Sequence, residues 1–140
     1  MFKSETTIRV RYAETDRMDY VYYGNYATYF EVARVESLRE IGITYKDIED
    51  KGILLPVLDY KVKFIKPAVY DDLLTIHTVI PQLPMARIRF EYEIYNQSDV
   101  LLNTAATTLV FINKETKKPC AAPDFFLSHF SPYFKETQPG

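Results

Sequence analysis

Residues 12–30 read YAETDRMDYVYYGNYATYF, and this stretch decides the fold because it joins a strand-like segment to a helix-like one. From Tyr26 to Ile41, mostly apolar residues recur at spacings of three or four, with charged residues between them. That period predicts a long amphipathic helix. Gly42 follows it, and glycine commonly occupies the first position beyond a helix end. We therefore expect one long helix to cover the sheet that the rest of the chain forms.

The segments on either side of this helix alternate in the way that strands do. Before it, apolar and polar residues alternate over 6–12. After it, Thr44 resembles the cap of a short helix that runs to about Lys51. Alternation then predicts four more strands, at 58–64, 74–78, 85–95 and 100–112. Short turns between the strands favour antiparallel pairing, so the order of elements predicts an α+β fold.

The length of the chain predicts a single domain, 1–140. Its core extends over about 6–123, and the C-terminal tail, 124–140, carries phenylalanines that could dock as a turn of helix or as a cap. A sheet covered by only one helix leaves apolar surface uncovered. We expect a second subunit to cover it, which makes the protein a homo-oligomer.

Composition argues against several classes of protein. The formal net charge of -2 gives no general attraction to nucleic acid or to an anionic membrane. The chain contains no apolar run long enough to cross a bilayer, and the start MFKSETTIRV lacks the apolar core of a signal peptide. Cys120 is the single cysteine, so no internal disulfide can form. These features predict a cytoplasmic protein that binds neither nucleic acid nor membrane.

Three carboxylates, Glu14, Asp16 and Asp19, precede the long helix. They could form a solvated loop in which aspartates accept bonds from nearby backbone N–H groups. They could instead bind a metal, although the segment lacks the glycine-containing calcium loop and the histidine that such sites use. In a third interpretation they are catalytic, because unpaired N–H groups at a helix N-terminus could hold a carbonyl oxygen while a carboxylate attacks the carbonyl or activates water.

The same stretch resembles a known signature, that of the 4-hydroxybenzoyl-CoA thioesterase-like branch of the hotdog-fold acyl-CoA thioesterases. The likeness covers roughly residues 6–123. The matching residues are 12–16, Met18, 21–23, 25–26, 29–31 and 33–34 in a first block, and 64–68, 70–72 and 90–94 in later blocks.

This resemblance implies a hotdog fold, in which a long central helix is wrapped by an antiparallel five-stranded sheet, with dimers or tetramers as the assembly. It implies a thioesterase that hydrolyses acyl-CoA, or in some members acyl carrier protein thioesters, without a metal or another cofactor. The catalytic aspartate of the family matches Asp16, and its carbonyl-polarising backbone amide matches Tyr23. We expect the substrate site to include six more residues of this stretch: Asp19, Tyr20, Val21, Tyr22, Asn25 and Tyr26.

Two cations further along the chain, Lys66 and Arg87, are candidates for the phosphates of coenzyme A. A nucleotide that lies on the surface needs cations even when its thioester end is buried. The alternative is that both residues belong to a solvated face of the sheet, as alternating charges on strands usually do.

Asp19 departs from the family pattern, which usually has glycine at this position. Glycine there implies a tight turn or a close approach of ligand to backbone. Aspartate tolerates left-handed φ better than most residues, but its bulk and charge could narrow the site or disfavour ionisation of Asp16. Two alternatives to an enzyme therefore stay open: a hotdog domain that binds acyl-CoA or acyl carrier protein without hydrolysis, and an oligomeric interaction module.

Overall fold

The computed structural model of the chain describes residues 1–134, in which a five-stranded antiparallel sheet packs against one long helix. In chain order the elements are β1 Phe2–Arg9, α1 Asn25–Glu40, α2 Tyr45–Asp50, β2 Ile53–Leu54, β3 Val57–Phe64, β4 Leu73–Ile80, β5 Arg87–Tyr95, β6 Leu101–Val110, β7 Ile112–Asn113 and α3 Asp124–Phe130. The strand order of the sheet is β1-β4-β5-β6-β3. This architecture confirms the predicted α+β fold.

The core lies between α1 and the inner face of the sheet. On β5 the buried residues Ile88, Phe90, Tyr92 and Ile94 alternate with residues that face the other side. Phe30 of α1 lies on Tyr92, with ring centroids 4.6 Å apart. The sheet therefore has one dry face, as the alternation predicts, and α1 covers it.

Both predicted helices begin and end close to their expected positions. Gly42 has a φ of +92°, the left-handed conformation expected just beyond the end of α1. At the start of α2, Thr44 Oγ1 accepts a 3.0 Å hydrogen bond from the N–H of Asp47, whose carboxylate accepts one from the N–H of Thr44. This reciprocal pair confirms the predicted cap. No helix within residues 1–134 has both the length and the apolar character needed to cross a bilayer.

The first strand and the last long strand differ from their predicted bounds. β1 begins at Phe2 and ends at Arg9, and Tyr12 begins a short 3-10 turn, Tyr12–Glu14. The ring of Tyr12 is 76% exposed because the chain has already left the sheet, so its predicted place on the strand is wrong. Likewise, the predicted strand 100–112 ends at Val110, and β7, Ile112–Asn113, pairs with β2 in a separate two-stranded sheet.

The C-terminal tail docks as a helix. Phe126 and Phe130 of α3 are buried, and Phe126 meets Phe111 with ring centroids 5.2 Å apart. The N-terminal ammonium group of Met1 donates a 3.0 Å hydrogen bond to the carbonyl of Tyr133. The last part of the predicted tail, 135–140, lies outside the described residues.

β3 is an edge strand whose side chains are mostly exposed. It pairs with β6 on one side only. Large apolar side chains nevertheless lie along this edge and just beyond it, at Val57, Leu58, Tyr60, Phe64 and Ile65. An open edge with exposed apolar side chains is typical of a surface that another chain covers.

Candidate active site

A tight loop places Asp16 just before α1. Thr15 and Val21 form an antiparallel bridge, and the N–H of Asp16 donates a 2.8 Å bond to the carbonyl of Tyr20. Within this loop Asp19 has a φ of +66°. At this position the family that the sequence resembles usually has glycine. The backbone there is left-handed, and aspartate adopts this conformation at modest cost.

One oxygen of the Asp16 carboxylate accepts a hydrogen bond from the backbone, and the other oxygen has no partner. Its Oδ1 accepts a 2.8 Å bond from the N–H of Met18, so Asp16 makes the local backbone contact that an Asx turn requires. Among residues 1–134, Oδ2 has no hydrogen-bond or ion-pair partner. A carboxylate fixed in this way is oriented and still available to a ligand.

Asp16 borders a groove of about 320 Å³ whose walls are largely aromatic and apolar. The lining residues are Asp16, Tyr20, Val21, Tyr23, Tyr26, Phe64, Ile65, Lys66 and Pro67. Tyr26 is buried, and its hydroxyl accepts a 3.2 Å bond from the N–H of Ala68, while burial raises the pKa of Tyr26. The groove is therefore built where the start of α1 meets the chain that leaves β3.

The backbone N–H of Tyr23 is free at the start of α1. Tyr23 lies two residues before the first helical residue, Asn25, and no acceptor within residues 1–134 takes its N–H. The first N–H groups of a helix lack intrahelical partners and carry partial positive charge. One groove is thus lined both by the residue with the open carboxylate, Asp16, and by the residue with the free donor, Tyr23. A free backbone N–H is a group that can bind a developing negative charge.

A second groove, of about 630 Å³, also includes Asp16. Its walls include Tyr12 and Tyr70, whose rings meet edge to face at 5.6 Å, together with Arg17 and Asp19. Asp16 therefore stands where two grooves meet. Asp19 belongs to this second groove and does not line the one that contains Tyr23.

Glu14 is a structural anchor of the loop. Its Oε1 accepts bonds from the N–H of Arg11 at 2.8 Å and from the hydroxyl of Tyr29 at 2.9 Å, and its Oε2 pairs with the Arg11 guanidinium. Burial opposes the charge of Glu14, but the hydrogen bonds from Arg11 and Tyr29 outweigh it and lower the pKa of Glu14. Burial and the neighbouring carboxylate raise the pKa of Tyr29. Glu14 is thus a satisfied, ionised carboxylate.

Three predicted site residues lie outside both grooves. Tyr22 stacks against Tyr23, with ring centroids 4.7 Å apart. The side-chain amide of Asn25 donates a 2.8 Å bond to the carbonyl of Glu14, so it supports the loop. Arg87 stands exposed at the start of β5. Lys66, the other predicted cation, does line the groove with Asp16.

Sequence reasoning missed part of the groove wall. Phe64, Ile65 and Pro67 line it, and the ring of Phe64 lies 5.6 Å from that of Tyr26. These residues belong to the segment 64–68, which resembles the family. The sequence analysis assigns only Lys66 of this segment to the site. No three histidine, cysteine, aspartate or glutamate side chains converge within residues 1–134 in the way that a metal ion would require.

Comparison with known proteins gives matches over most of the chain. A family model for the thioesterase-like superfamily matches residues 10–130. YneP of Bacillus subtilis (strain 168) is 35% identical over 133 residues, which cover 92% of this chain and 96% of that protein. The acyl-CoA thioester hydrolase YbgC of Escherichia coli is 30% identical over 123 residues, which cover 88% of this chain and 92% of that protein.

A solved structure shows the same relationship in three dimensions. The crystal structure of a DHNA-CoA thioesterase from Staphylococcus aureus superposes with a TM-score of 0.83 at 38% sequence identity. The superposition covers 97% of this chain and 88% of that one.

Proposed function

The chain belongs to the thioesterase-like superfamily, and we infer that it hydrolyses the thioester of an acyl-coenzyme A to a free acid and coenzyme A. The names of its relatives include acyl-CoA thioester hydrolase and DHNA-CoA thioesterase, and both proteins match nearly the whole chain. The predicted hotdog fold and thioester hydrolase activity are thereby confirmed.

We propose that Asp16 and the backbone N–H of Tyr23 perform the reaction. The observation that carries this proposal is that one groove is lined by Asp16, whose carboxylate keeps one oxygen open, and by Tyr23, whose backbone N–H has no acceptor within residues 1–134. The N–H of Tyr23 would donate to the thioester carbonyl oxygen and stabilise the negative charge that develops there.

Two routes are open to the Asp16 carboxylate. As a nucleophile it attacks the carbonyl carbon, coenzyme A leaves as the thiolate, and water then hydrolyses the mixed anhydride. As a general base it takes a proton from a water molecule whose oxygen attacks the carbonyl carbon, and the same thiolate leaves. The two grooves that meet at Asp16 support either route, because one can hold the acyl group while the other leads the rest of the substrate away.

The walls of the smaller groove suit the acyl group. Tyr20, Tyr26 and Phe64 supply aromatic surface, and Val21 adds a largely buried apolar side chain. We propose that Lys66 meets a phosphate of coenzyme A, because its ammonium group is the cation that borders this groove. A similar role for Arg87 would require coenzyme A to extend across the sheet or onto a second subunit.

We also propose that the protein is a homo-oligomer, a dimer or a tetramer, joined along the open edge of β3. Exposed apolar side chains on this edge support the proposal, since a second copy would remove them from water. Acyl carrier protein is the alternative carrier of the acyl group. The proposed location is cytoplasmic, consistent with the single cysteine, Cys120.

Thiol release from a panel of acyl-CoAs, varied in chain length and aromatic character, tests this function. We expect sustained release, many equivalents of thiol for each chain, from at least one member. Saturable binding of every acyl-CoA without release would leave only a binding domain. The same assay with an acyl carrier protein thioester distinguishes the two carriers.

A further inference from the structure

Gly24 lies directly before α1 in a backbone conformation that does not require glycine. Its φ of −63° and ψ of −24° are right-handed helical values, which residues with a side chain adopt easily. By contrast, Gly42 and Gly52 both have positive φ, where a side chain is strained. The reason for glycine at position 24 must therefore lie in the space around it.

The ring of Tyr22 occupies the space that a side chain at Gly24 would fill. A Cβ atom added to Gly24 would lie 2.7 Å from Cε2 and 3.2 Å from Cδ2 of this ring. Two carbon atoms pack best at about 3.5–4.0 Å, so even one methyl group would displace the ring. The ring also lies against that of Tyr23, with centroids 4.7 Å apart. Tyr22 thus folds back over the two residues that follow it.

The peptide unit between Tyr22 and Tyr23 carries the free N–H that the proposed reaction uses. Its carbonyl belongs to Tyr22 and accepts a 2.9 Å bond from the N–H of Asn25. In a planar trans peptide the N–H points away from the C=O, so this bond holds one end of the unit only. Because the N–H of Tyr23 has no acceptor within residues 1–134, its direction depends on the packing around the unit.

We propose that Tyr22 and Gly24 are positioning residues: the Tyr22 ring, seated over Gly24, fixes the direction of the Tyr23 N–H. A glycine beside the donor would by itself loosen the chain, and the ring removes that freedom because it packs where a side chain would be. A donor stabilises developing negative charge only within a narrow range of geometry. Tyr22 lines neither groove at Asp16, so it acts through the donor rather than on the substrate. The inference rests on the proposed thioesterase reaction.

Gly24→Ala tests the positioning with one added methyl group. The backbone angles at this position suit alanine, so the variant should fold, and circular dichroism verifies that it does. The methyl group displaces the Tyr22 ring, and we expect kcat to fall about tenfold, because a small misplacement of a catalytic group is costly. KM should stay near the parent value, since the donor acts on charge that develops in the transition state.

Tyr22→Ala completes a double-mutant cycle with Gly24→Ala. Alone it should also lower kcat, because the peptide unit loses the packing of the ring. Added to Tyr22→Ala, the Gly24→Ala change should alter kcat by no more than about twofold, since the ring that the methyl group displaces is gone. A tenfold loss from Gly24→Ala in both backgrounds, or parent kcat in either single variant, would overturn the proposal. Tyr133→Ala removes an exposed ring outside both grooves and is the control that should keep parent kcat.

The direction of the Tyr23 N–H can also be measured without activity. Residual dipolar couplings of the isotope-labelled protein, recorded in two alignment media, report the orientation of each N–H bond. The coupling of Tyr23 should change in Gly24→Ala and in Tyr22→Ala, while the couplings of the β5 amides stay as in the parent. Unchanged Tyr23 couplings in both variants would overturn the proposal, and Tyr22→Ala alone decides it if Gly24→Ala does not fold. A parent that releases no thiol would refute the proposed function, and the couplings would still judge the positioning.

Discussion

The hydroxyl of Tyr29 donates a 2.9 Å hydrogen bond to Oε1 of Glu14, and this contact ties α1 to the short turn that precedes Asp16. A second tie runs from the side-chain amide of Asn25 to the carbonyl of Glu14. Two residues of α1 therefore hold the loop that carries Asp16. The free N–H of Tyr23 lies just before the start of the same helix. Carboxylate and donor thus share one rigid support.

Tyr29→Phe removes the hydroxyl, so the Glu14 carboxylate loses one of its hydrogen-bond donors. We expect the free energy of unfolding to fall by about 1–3 kcal/mol, the usual cost of losing a hydrogen bond to a charged group. Urea denaturation measures it. Tyr133→Phe is the matched control, because Tyr133 is exposed and its backbone carbonyl keeps the hydrogen bond from Met1. Equal stability of Tyr29→Phe and the parent would show that the contact contributes nothing.

Glu14 should make the fold sensitive to acid. Its pKa is lower in the folded chain than the ordinary 4.5, so its contribution is present above that value and is lost as pH falls through the lower folded value. As pH falls from about 4.5 towards the lower folded pKa, we expect the free energy of unfolding to fall more steeply in the parent than in Glu14→Gln. Glu36→Gln, which removes an exposed carboxylate, should keep the parent slope. Identical slopes for all three proteins would contradict the prediction.

Asp19→Asn separates the charge of this residue from its backbone conformation. Asparagine also tolerates left-handed φ, so the turn and the stability should be retained. Asp19 lines the same groove as Asp16, so the loss of its negative charge should raise kcat/KM for an anionic acyl-CoA substrate. An unchanged kcat/KM would reduce Asp19 to a turn former, and a large loss of activity would place it in the working site.

Leu58→Lys tests the open edge of β3. It puts a charge where the proposed interface buries an apolar side chain, now 53% exposed. Light scattering of the parent should give at least twice the chain mass of 16.4 kDa, and the variant should shift towards the monomer. Met85→Lys, at another exposed apolar position, is the control. Equal masses for Leu58→Lys and the parent would show that the interface does not include Leu58.

The sheet, α1 and α2 could be predicted because their signals are local. Alternation along β5 and the three-to-four spacing along α1 directly reflect which side chains face the core. The position of Tyr12 could not be predicted in this way, since the alternating pattern of β1 continues past the point where the strand ends. A hydrogen bond from the N–H of Arg11 to Glu14 turns the chain there, and nothing in the pattern signals it.

The sequence predicts those residues of the candidate site that lie together in one stretch of the chain. Asp16, Tyr20, Tyr23 and Tyr26 lie close along the chain, and the structure places them on one groove. The opposite wall comes from the segment after β3. Its position depends on the pairing of β3 with β6 and on the bonds from the N–H groups of residues 65–66 to Leu102. Such long-range register has no local signature, so Phe64 was missed.

The most direct measurement for the central claim is the turnover of Asp16→Asn on a good acyl-CoA substrate. The variant keeps the shape of the side chain and removes its negative charge, so we expect kcat to fall by about 10²-fold or more while KM changes little. Asp99→Asn, at an exposed turn that lines neither groove at Asp16, is the control and should keep parent turnover. Circular dichroism should show both variants folded. A folded Asp16→Asn that releases thiol as fast as the parent would contradict the assignment of Asp16 as the catalytic carboxylate.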